Sequence, residues 1–337
     1  MSVATARLIV LIGGACLLAV LVTSVGVEPV ADAFATMSWW LLLVLVFPCV
    51  PGNIFDTLGW RFAFPHDRVS FLTLWRARLA GEAVNTVTPT ASVGGEAVKA
   101  WLLRPRVPYS EGFTAVVVAK TTITVAQGLF LLLGLLLVSN SAADGRLLSG
   151  MRWLIVVELF AVAGFVAVQV SGVVGGAVRV VGTKLGLGSA LARAADVSLV
   201  EDTLRDFYRR RPYRLLLSLA AHFMGWLLSA VELWVVLRLL GVEISPTTAL
   251  VLEAFATGIK FVTFFVPAGV GTTEGGLVLI FVAFGFGAPL GLAFALVRRF
   301  REVCWTAIGL IMLMTMGGRM PTRSDVLALS TSEGEPA

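Results

Sequence analysis

The sequence is poor in the residues from which catalytic and metal sites are usually built. Among 337 residues there are three cysteines and two histidines. Cys16, Cys49 and Cys304 form no closely spaced pair, so neither a metal site nor a disulfide framework is indicated. His66 and His222 are isolated, and no Ser-His-Asp or Cys-His grouping accompanies them. The sequence therefore predicts no catalytic residues, no metal site and no cofactor, and it argues against an enzyme.

Charged residues are also scarce. They make up 14% of the chain against 58% apolar residues, whereas soluble domains contain roughly 25% charged residues. This composition predicts an all-α polytopic membrane protein. The net charge of +5 does not indicate nucleic-acid binding, because the basic residues fall in loops between apolar runs, where they set membrane topology.

The arginines after the second apolar run predict the orientation of the chain. Arg61, Arg68, Arg76 and Arg78 lie within one short stretch, and loops rich in positive charge stay on the cytoplasmic side. We therefore predict that the N- and C-termini are both cytoplasmic.

Two matching fragments interrupt the apolar pattern. Pro89-Thr-Ala-Ser-Val-Gly-Gly-Glu96 and Pro267-Ala-Gly-Val-Gly-Thr-Thr-Glu274 each hold a proline, two glycines and a glutamate seven positions after the proline. A carboxylate and a helix break are costly at membrane depth, because hydrocarbon solvates neither. Paired broken segments in the two halves of a membrane protein indicate a transport site at the interface between repeats.

These features predict about 6–7 full spans plus two re-entrant helical hairpins arranged as an inverted repeat. The first hairpin is predicted at 71–100, where both ends are basic; the alternative there is one irregular span. A single membrane domain covers 1–318. It consists of a first half at about 7–171, a cytoplasmic connector with an amphipathic helix at about 172–213, and a second half at about 214–318. Residues 319–337 are predicted to form a disordered cytoplasmic tail.

The charged and helix-breaking residues inside apolar segments are the candidate substrate-binding site. An unpaired charge at the bilayer centre costs about 2.5–3.5 kcal/mol, so these charges are expected to pair across a polar cavity. The candidates are Arg78, Glu82, Asn85, Pro89, Gly94, Gly95, Glu96, Lys99, Lys260, Pro267, Gly269, Gly271, Glu274, Arg298, Arg299 and Arg301.

Each candidate has an expected role and a structural alternative. Lys260 and the 298–301 arginines would hold a phosphate, with Lys260 facing the interior. Glu96 and Glu274 would approach one cavity and bind a cationic group or organise the bases. Alternatively, the charges form salt bridges that hold the helices together, and the glycines serve only close helix packing.

The two motifs resemble those of a known family. Gly81-x3-Asn85-x3-Pro89-x4-Gly94-Gly95-Glu96 looks like a signature of the flippase-like membrane domain of lysylphosphatidylglycerol synthases. Pro267-x-Gly269-x-Gly271-x2-Glu274, with a distal Arg298 or Arg299, looks like the second signature of that family. The resemblance covers roughly residues 7–318. Full-length members, the multiple peptide resistance factors, add a soluble aminoacyl transferase, for which this chain leaves no room.

The resemblance implies a stand-alone flippase-like protein that moves aminoacylated phospholipids, hopanoids or other polar lipids between leaflets. The expected partners are membrane lipids, an anionic or zwitterionic phospholipid above all, and no nucleic acid. Two alternatives stay open: a membrane enzyme or accessory subunit for a lipid-linked substrate, and a small-solute secondary transporter. A cavity that opens sideways would favour a lipid, and a closed midplane pocket would favour a solute. Proton coupling and passive scrambling are both compatible with the sequence.

Overall fold

Helices form all the regular secondary structure in the part of the chain that the structure describes. That structure is a computed structural model, and it describes residues 40–87, 94–138, 145–171, 197–262 and 269–316. The helices are α1 (Leu41–Val46), α2 (Cys49–Phe62), α3 (Phe71–Val87), α4 (Gly94–Leu103), α5 (Tyr109–Val138), α6 (Gly145–Ser171), α7 (Val197–Arg210), α8 (Pro212–Leu239), α9 (Pro246–Val262), α10 (Thr272–Ala283) and α11 (Ala288–Thr315). The predicted all-α class is confirmed for these residues.

Three described helical stretches are long and apolar enough to cross a membrane. They are Leu42–Phe62, which includes α1 and α2, Tyr109–Val138 and Pro212–Leu239. Their 21, 30 and 28 residues exceed the roughly 20 residues that a hydrocarbon core of about 30 Å requires. Helices α6 and α11 have similar lengths of 27 and 28 residues. The total number of spans stays a prediction.

Helices α3 and α4 form an antiparallel pair. Asn85, near the end of α3, contacts Gly95 at the start of α4. Glu82, nearly one turn earlier in α3, contacts Lys99, which lies one turn later in α4. The chain therefore reverses direction between residues 87 and 94, where the sequence predicts the first hairpin.

Helices α9 and α10 form a second antiparallel pair. Gly276 of α10 packs against Ile259 near the end of α9, where an added Cβ would meet the isoleucine side chain at 2.6 Å. Phe255 lies one turn before Ile259 in α9, and Phe284 lies about two turns after Gly276. The rings of these two phenylalanines are 5.4 Å apart. Both pairs thus have the geometry of a helical hairpin.

The two pairs pack at opposite ends of α5. The α3–α4 pair shares a hydrophobic core with Val116 in the first half of α5. The α9–α10 pair shares a separate core with Phe130 and Val138 in the second half. Helix α11 contacts the same two cores in turn, with Phe294 in the core of the α9–α10 pair and Met312 against the core of the α3–α4 pair.

The loop between α2 and α3 is tied to α8. Arg214, in the first turn of α8, donates a hydrogen bond of 2.6 Å to Asp67 and another of 3.1 Å to the carbonyl oxygen of Arg61. The hydrogen bond from Arg214 holds the pKa of the Asp67 carboxyl below its ordinary value. Ser218, one turn further along α8, donates to the carbonyl oxygen of Gly59 at 2.7 Å. These contacts anchor α8 along α2.

Helix α6 begins at Gly145, a few residues after α5 ends at Val138. The amphipathic helix predicted in the connector is α7, in which Leu204 and Phe207 are buried while Arg209 and Arg210 are exposed. Predictions for the first apolar segment, for the residues of both motif prolines and for 319–337 lie outside the described residues.

Candidate functional site

A cluster of acids and bases lies where α3 and α4 meet α5. We name Arg78, Glu82, Glu96, Lys99 and Lys120 the first charge cluster. The Lys99 ammonium lies 2.6 Å from a Glu82 oxygen and 3.1 Å from each oxygen of Glu96. Lys120 of α5 approaches Glu96 at 4.0 Å. Residues 78 and 82 share one face of α3, and residues 96 and 99 share one face of α4, because helical neighbours three or four positions apart lie side by side.

Glycines allow α3 and α4 to approach closely enough for these contacts. A Cβ added to Gly95 would lie 2.0 Å from the carbonyl oxygen of Gly81, and one added to Gly81 would lie 2.4 Å from the Lys99 side chain. Helix α4 begins at Gly94, and the Gly95 N–H donates to the side-chain oxygen of Asn85 at 2.7 Å. The Gly95 N–H is therefore occupied by the protein itself. These glycines have the packing role that the sequence left open.

Two residues of α2 hold Arg78 in place. Its guanidinium donates to Asn53 at 2.6 Å and to Asp56 at 2.7 Å. The ring of His222, on α8, lies with Nδ1 3.5 Å from Asp56 and packs on Gly59, where an added Cβ would overlap the ring. These α2 and α8 residues were absent from the sequence candidates. Asp56 could have been found as a carboxylate in an apolar segment, whereas nothing in the sequence links His222 to a residue 166 positions away.

The first charge cluster surrounds a cavity of about 50 Å³. At roughly 10–15 Å³ of such space per molecule, it holds about three to five waters. Asp56 and His222 complete its polar wall, and Trp60 forms part of its apolar wall. The side chains of Glu82 and Lys120 are each 46% exposed. The cavity therefore presents one accessible acid and one accessible base.

A second group of charges joins α11 to three other helices. We name its six residues the second charge cluster; its pairs are Arg301 with Glu232 of α8, Arg298 with Glu253 of α9 at 2.5 Å, and Arg299 with Glu274 of α10 at 2.6 Å. The three glutamate side chains are only 3%, 2% and 1% exposed. Each arginine thus forms an ion pair with a buried carboxylate from a different helix, as the salt-bridge alternative expects.

The Glu274 carboxylate is used within its own hairpin. It accepts a 2.7 Å hydrogen bond from the N–H of Gly271 and pairs with Arg299. Gly269 and Gly271 adopt positive φ angles of 59° and 79°, which side-chain-bearing residues rarely tolerate. Glu274 does not line the cavity that includes Glu96. The expectation that both glutamates approach one cavity stays a prediction, and in this structure Arg299 and the helix cap satisfy Glu274.

Lys260 also differs from the sequence expectation. It lies in the last turn of α9, and its side chain is exposed. Among the described residues it forms no ion pair, although it interacts electrostatically with Arg298 and Glu253. The buried cation that bridges two acids is instead Lys99, whose side chain is 9% exposed. Glu253, Ala256 and Thr257, on the same face of α9, are buried, so the exposure of Lys260 follows from its place in the last turn of the helix.

Comparison with known proteins agrees with the motifs. Residues 5–309 match the family described as the lysylphosphatidylglycerol synthase TM region, a range that includes both charge clusters. No curated protein and no solved structure matches the chain. Because the match covers most of the sequence and three described helices are able to cross a membrane, the chain is an integral membrane protein that belongs to the lysylphosphatidylglycerol synthase TM region family.

Proposed function

We propose that the protein is a transporter, not an enzyme, and that it moves a polar or anionic phospholipid between the leaflets of a bacterial cytoplasmic membrane. The observation that carries the proposal is the cavity of the first charge cluster. An accessible base, Lys120, and an accessible acid, Glu82, face it side by side. A phospholipid headgroup offers the matching phosphate and, where zwitterionic, an ammonium group. Family membership supports a function related to membrane lipids.

Helix lengths support the re-entrant character of both hairpins. At 1.5 Å per residue, the 10 residues of α4 and the 12 residues of α10 reach only about 15 and 18 Å, against a hydrocarbon thickness of about 30 Å. A helix of that length ends inside the membrane. Its backbone and charges are tolerated there when they line a polar cavity or are buried in protein. We infer that each hairpin enters and leaves on one side.

The spacing of charges supports an inverted repeat. Glu96 lies 24 positions before Lys120, and Glu274 lies 24 positions before Arg298. Lys120 contacts Glu96, and the next residue after Arg298, Arg299, contacts Glu274. In each half, a base on the helix that follows the hairpin thus lies against the glutamate of that hairpin. The packing of the two hairpins at opposite ends of α5 fits entry from opposite membrane faces.

The contacts of the first cluster suggest how a headgroup would bind. Lys120 is held by Glu96 only at 4.0 Å, so a phosphate can take this lysine more easily than the closely paired Lys99. An ammonium group would bind the exposed oxygens of Glu82. Room for about three to five waters is less than a phosphate with its alcohol needs. The α3–α4 hairpin therefore has to move away from α5 before a headgroup enters, while the acyl chains stay in the bilayer.

Reconstituted vesicles test this proposal. Purified protein is placed in liposomes that contain a fluorescent phospholipid, and a membrane-impermeant quencher reports transfer between leaflets. Lys120→Ala removes one charge-assisted contact, worth about 1.5–3 kcal/mol, and should slow transfer about tenfold or more, while Lys120→Arg keeps part of the rate. Arg238→Ala is the matched control, because this arginine is 48% exposed and faces Glu243 away from the cavity. Full transfer by Lys120→Ala would overturn the assigned site.

A small-solute secondary transporter is the second candidate. The observation that favours it is the small volume of the cavity, about 50 Å³. In that case the wild-type protein would fail to move any phospholipid in the same vesicles, and Lys120→Ala would abolish uptake of a small anionic or zwitterionic solute. The vesicle assay therefore separates the two candidates by its wild-type result alone.

A further inference from the structure

Glu158 is a buried carboxyl group that neither charge cluster uses. It is the middle residue of α6 and is 1% exposed. Neither of its carboxyl oxygens has a hydrogen-bond partner among the residues that the structure describes. Its neighbours Leu159 and Phe160 are 62% and 76% exposed, so the opposite side of α6 is an apolar surface suited to lipid. Glu158 therefore faces the protein from the middle of a helix whose 27 residues are long enough to cross a membrane.

The carboxyl group fits against α5 because α5 has a glycine there. A Cβ added to Gly128 would lie 3.7–3.9 Å from the carboxyl atoms of Glu158. One turn before Glu158, Leu154 packs against Gly258 of α9, at 3.0 Å from an added Cβ. We name the contacts of Glu158 with Gly128 and of Leu154 with Gly258 the α6 seam. One turn before the carboxyl group, this seam is closed by the apolar side chain of Leu154. Bulk water has no described route to it in this conformation.

Among the described residues, no hydrogen bond or ion pair compensates Glu158. Helix α6 packs against α5, α7 and α9. The titratable side chains that the structure describes on these four helices are engaged elsewhere or exposed: Tyr109 stacks on Phe113, Glu111 faces Arg68, Lys120 faces Glu96, Asp206 pairs with Arg210, Tyr208 donates to Thr121, Glu253 pairs with Arg298, and Arg152, Arg205, Arg209 and Lys260 are exposed.

A buried carboxyl group without a partner keeps its charge only at a high energetic cost, so it binds a proton instead. A metal cation is a poor alternative, because Ca²⁺ and Mg²⁺ require about six or more oxygen ligands. In the described ranges no three His, Cys, Asp or Glu residues come together around a possible metal ion. A proton needs one carboxylate oxygen, and Glu158 supplies that ligand alone.

We infer that Glu158 is a proton-binding site that holds its proton while α6 is closed on α5 and releases it to water when this seam opens. The site then links the protonation state of α6 to the position of α5, whose Lys120 reaches the cavity of the first charge cluster. The link to transport rests on the proposed function, whereas the bound proton does not. In transport, movement of a proton through Glu158 would supply the driving force.

Infrared spectroscopy tests the bound proton without any transport assay. Wild-type protein in lipid at neutral pH should show the C=O band of a protonated carboxylic acid, shifted by deuterium exchange only slowly because the seam excludes water. Glu158→Gln should remove that band and keep the fold, since an amide has the size of the neutral acid. Glu243→Gln is the control, because the Glu243 side chain is 88% exposed and should leave the band unchanged. A spectrum without this band in the wild type would overturn the inference.

Vesicles with an imposed pH gradient test the coupling. The ratio of inward to outward phospholipid transfer by the wild type should change at least about tenfold when the gradient is reversed. Glu158→Gln should transfer phospholipid at the same rate in both gradients. Gradient-independent transfer by the wild type, with the infrared band present, would overturn the coupling and leave the proton site. Absence of any wild-type transfer, with the band present, would count against the proposed function alone. Unchanged gradient dependence in Glu158→Gln would assign the coupling to another residue and overturn the inference.

Discussion

The buried pair of Arg298 and Glu253 provides the sharpest test of whether the second charge cluster is structural. The two side chains are 7% and 2% exposed and meet at 2.5 Å through a single hydrogen bond. Removal of one partner leaves an uncompensated buried charge, which costs roughly 3–5 kcal/mol. We therefore expect Glu253→Gln to lower the free energy of unfolding by about 3–5 kcal/mol.

The double variant should recover most of that loss. Two nitrogens of Arg298 and one oxygen of Glu253 are buried without hydrogen-bond partners in the described part of the chain. The pair is therefore incompletely satisfied in the native state, and each buried atom without a partner costs about 1–3 kcal/mol. Replacing both residues with apolar side chains of similar size removes these unsatisfied atoms together with the charges. Glu253→Leu with Arg298→Met should thus lie within about 1 kcal/mol of the wild type or above it.

Chemical or thermal unfolding of the purified protein in detergent, followed by tryptophan fluorescence, measures both effects. A double-mutant cycle separates the interaction between the two side chains from the effect of each substitution alone. Glu243→Gln serves as the control, because its partner Arg238 is 3.6 Å away and both are well exposed, a pair worth at most about 1 kcal/mol. The reasoning is refuted if Glu253→Gln costs less than about 1 kcal/mol. A folded double variant that has lost phospholipid transfer would instead indicate that Arg298 belongs to the substrate site.

Three further outcomes are expected. Gly95→Ala should destabilise the protein by about 1–3 kcal/mol and displace α4, because the new methyl group would meet a carbonyl oxygen of α3 at 2.0 Å. Gly164→Ala is the control and should have no such cost, because the space around Gly164 is open. Equal melting temperatures for the two variants would contradict the close packing. Cysteines at Arg68 and Arg106 should react with a membrane-impermeant reagent from the same side; labelling from opposite faces would mean that the first hairpin crosses the membrane. The hydrogen bond from α8 lowers the pKa of Asp67, so it stabilises the folded protein at pH values above the ordinary pKa of 3.8, and this contribution is lost as the pH falls through the lowered pKa. Since this carboxylate is 44% exposed, Asp67→Asn should lower the free energy of unfolding at neutral pH by at most about 1 kcal/mol. Equal losses at acidic and neutral pH in unfolding experiments would contradict the assignment.

Several features of the protein could be predicted because they depend on local composition. Apolar runs of about 20 residues are determined by the thickness of the hydrocarbon core, and the described helices follow those runs within a few residues. Proline and glycine both disfavour the continuation of a helix, and the α3–α4 and α9–α10 reversals lie where the two motifs place them. The arginine-rich loops and the amphipathic α7 also follow from their own residues.

The identity of each charged partner could not be predicted in this way. Glu232 meets Arg301 across 69 positions, and His222 meets Asp56 across 166. A sequence pattern reports the faces of one helix, but not which other helix will pack there. The sequence assigned a phosphate to Lys260 and no partner to Lys99, and only the packing of α3 on α4 makes Lys99 the buried bridge between two acids.

The sequence by itself determined that this chain lives in a membrane, where its helices break and to which family it belongs, because hydropathy, helix breakers and short motifs are properties of contiguous residues. Only the tertiary structure decided which charges neutralise one another, which of them face a cavity and which, such as Glu158, have no partner within the described ranges. In a medium that solvates no charge, the fate of each ionisable group depends on what the neighbouring helices bring within a few ångströms, and that is settled by packing between segments distant in the chain.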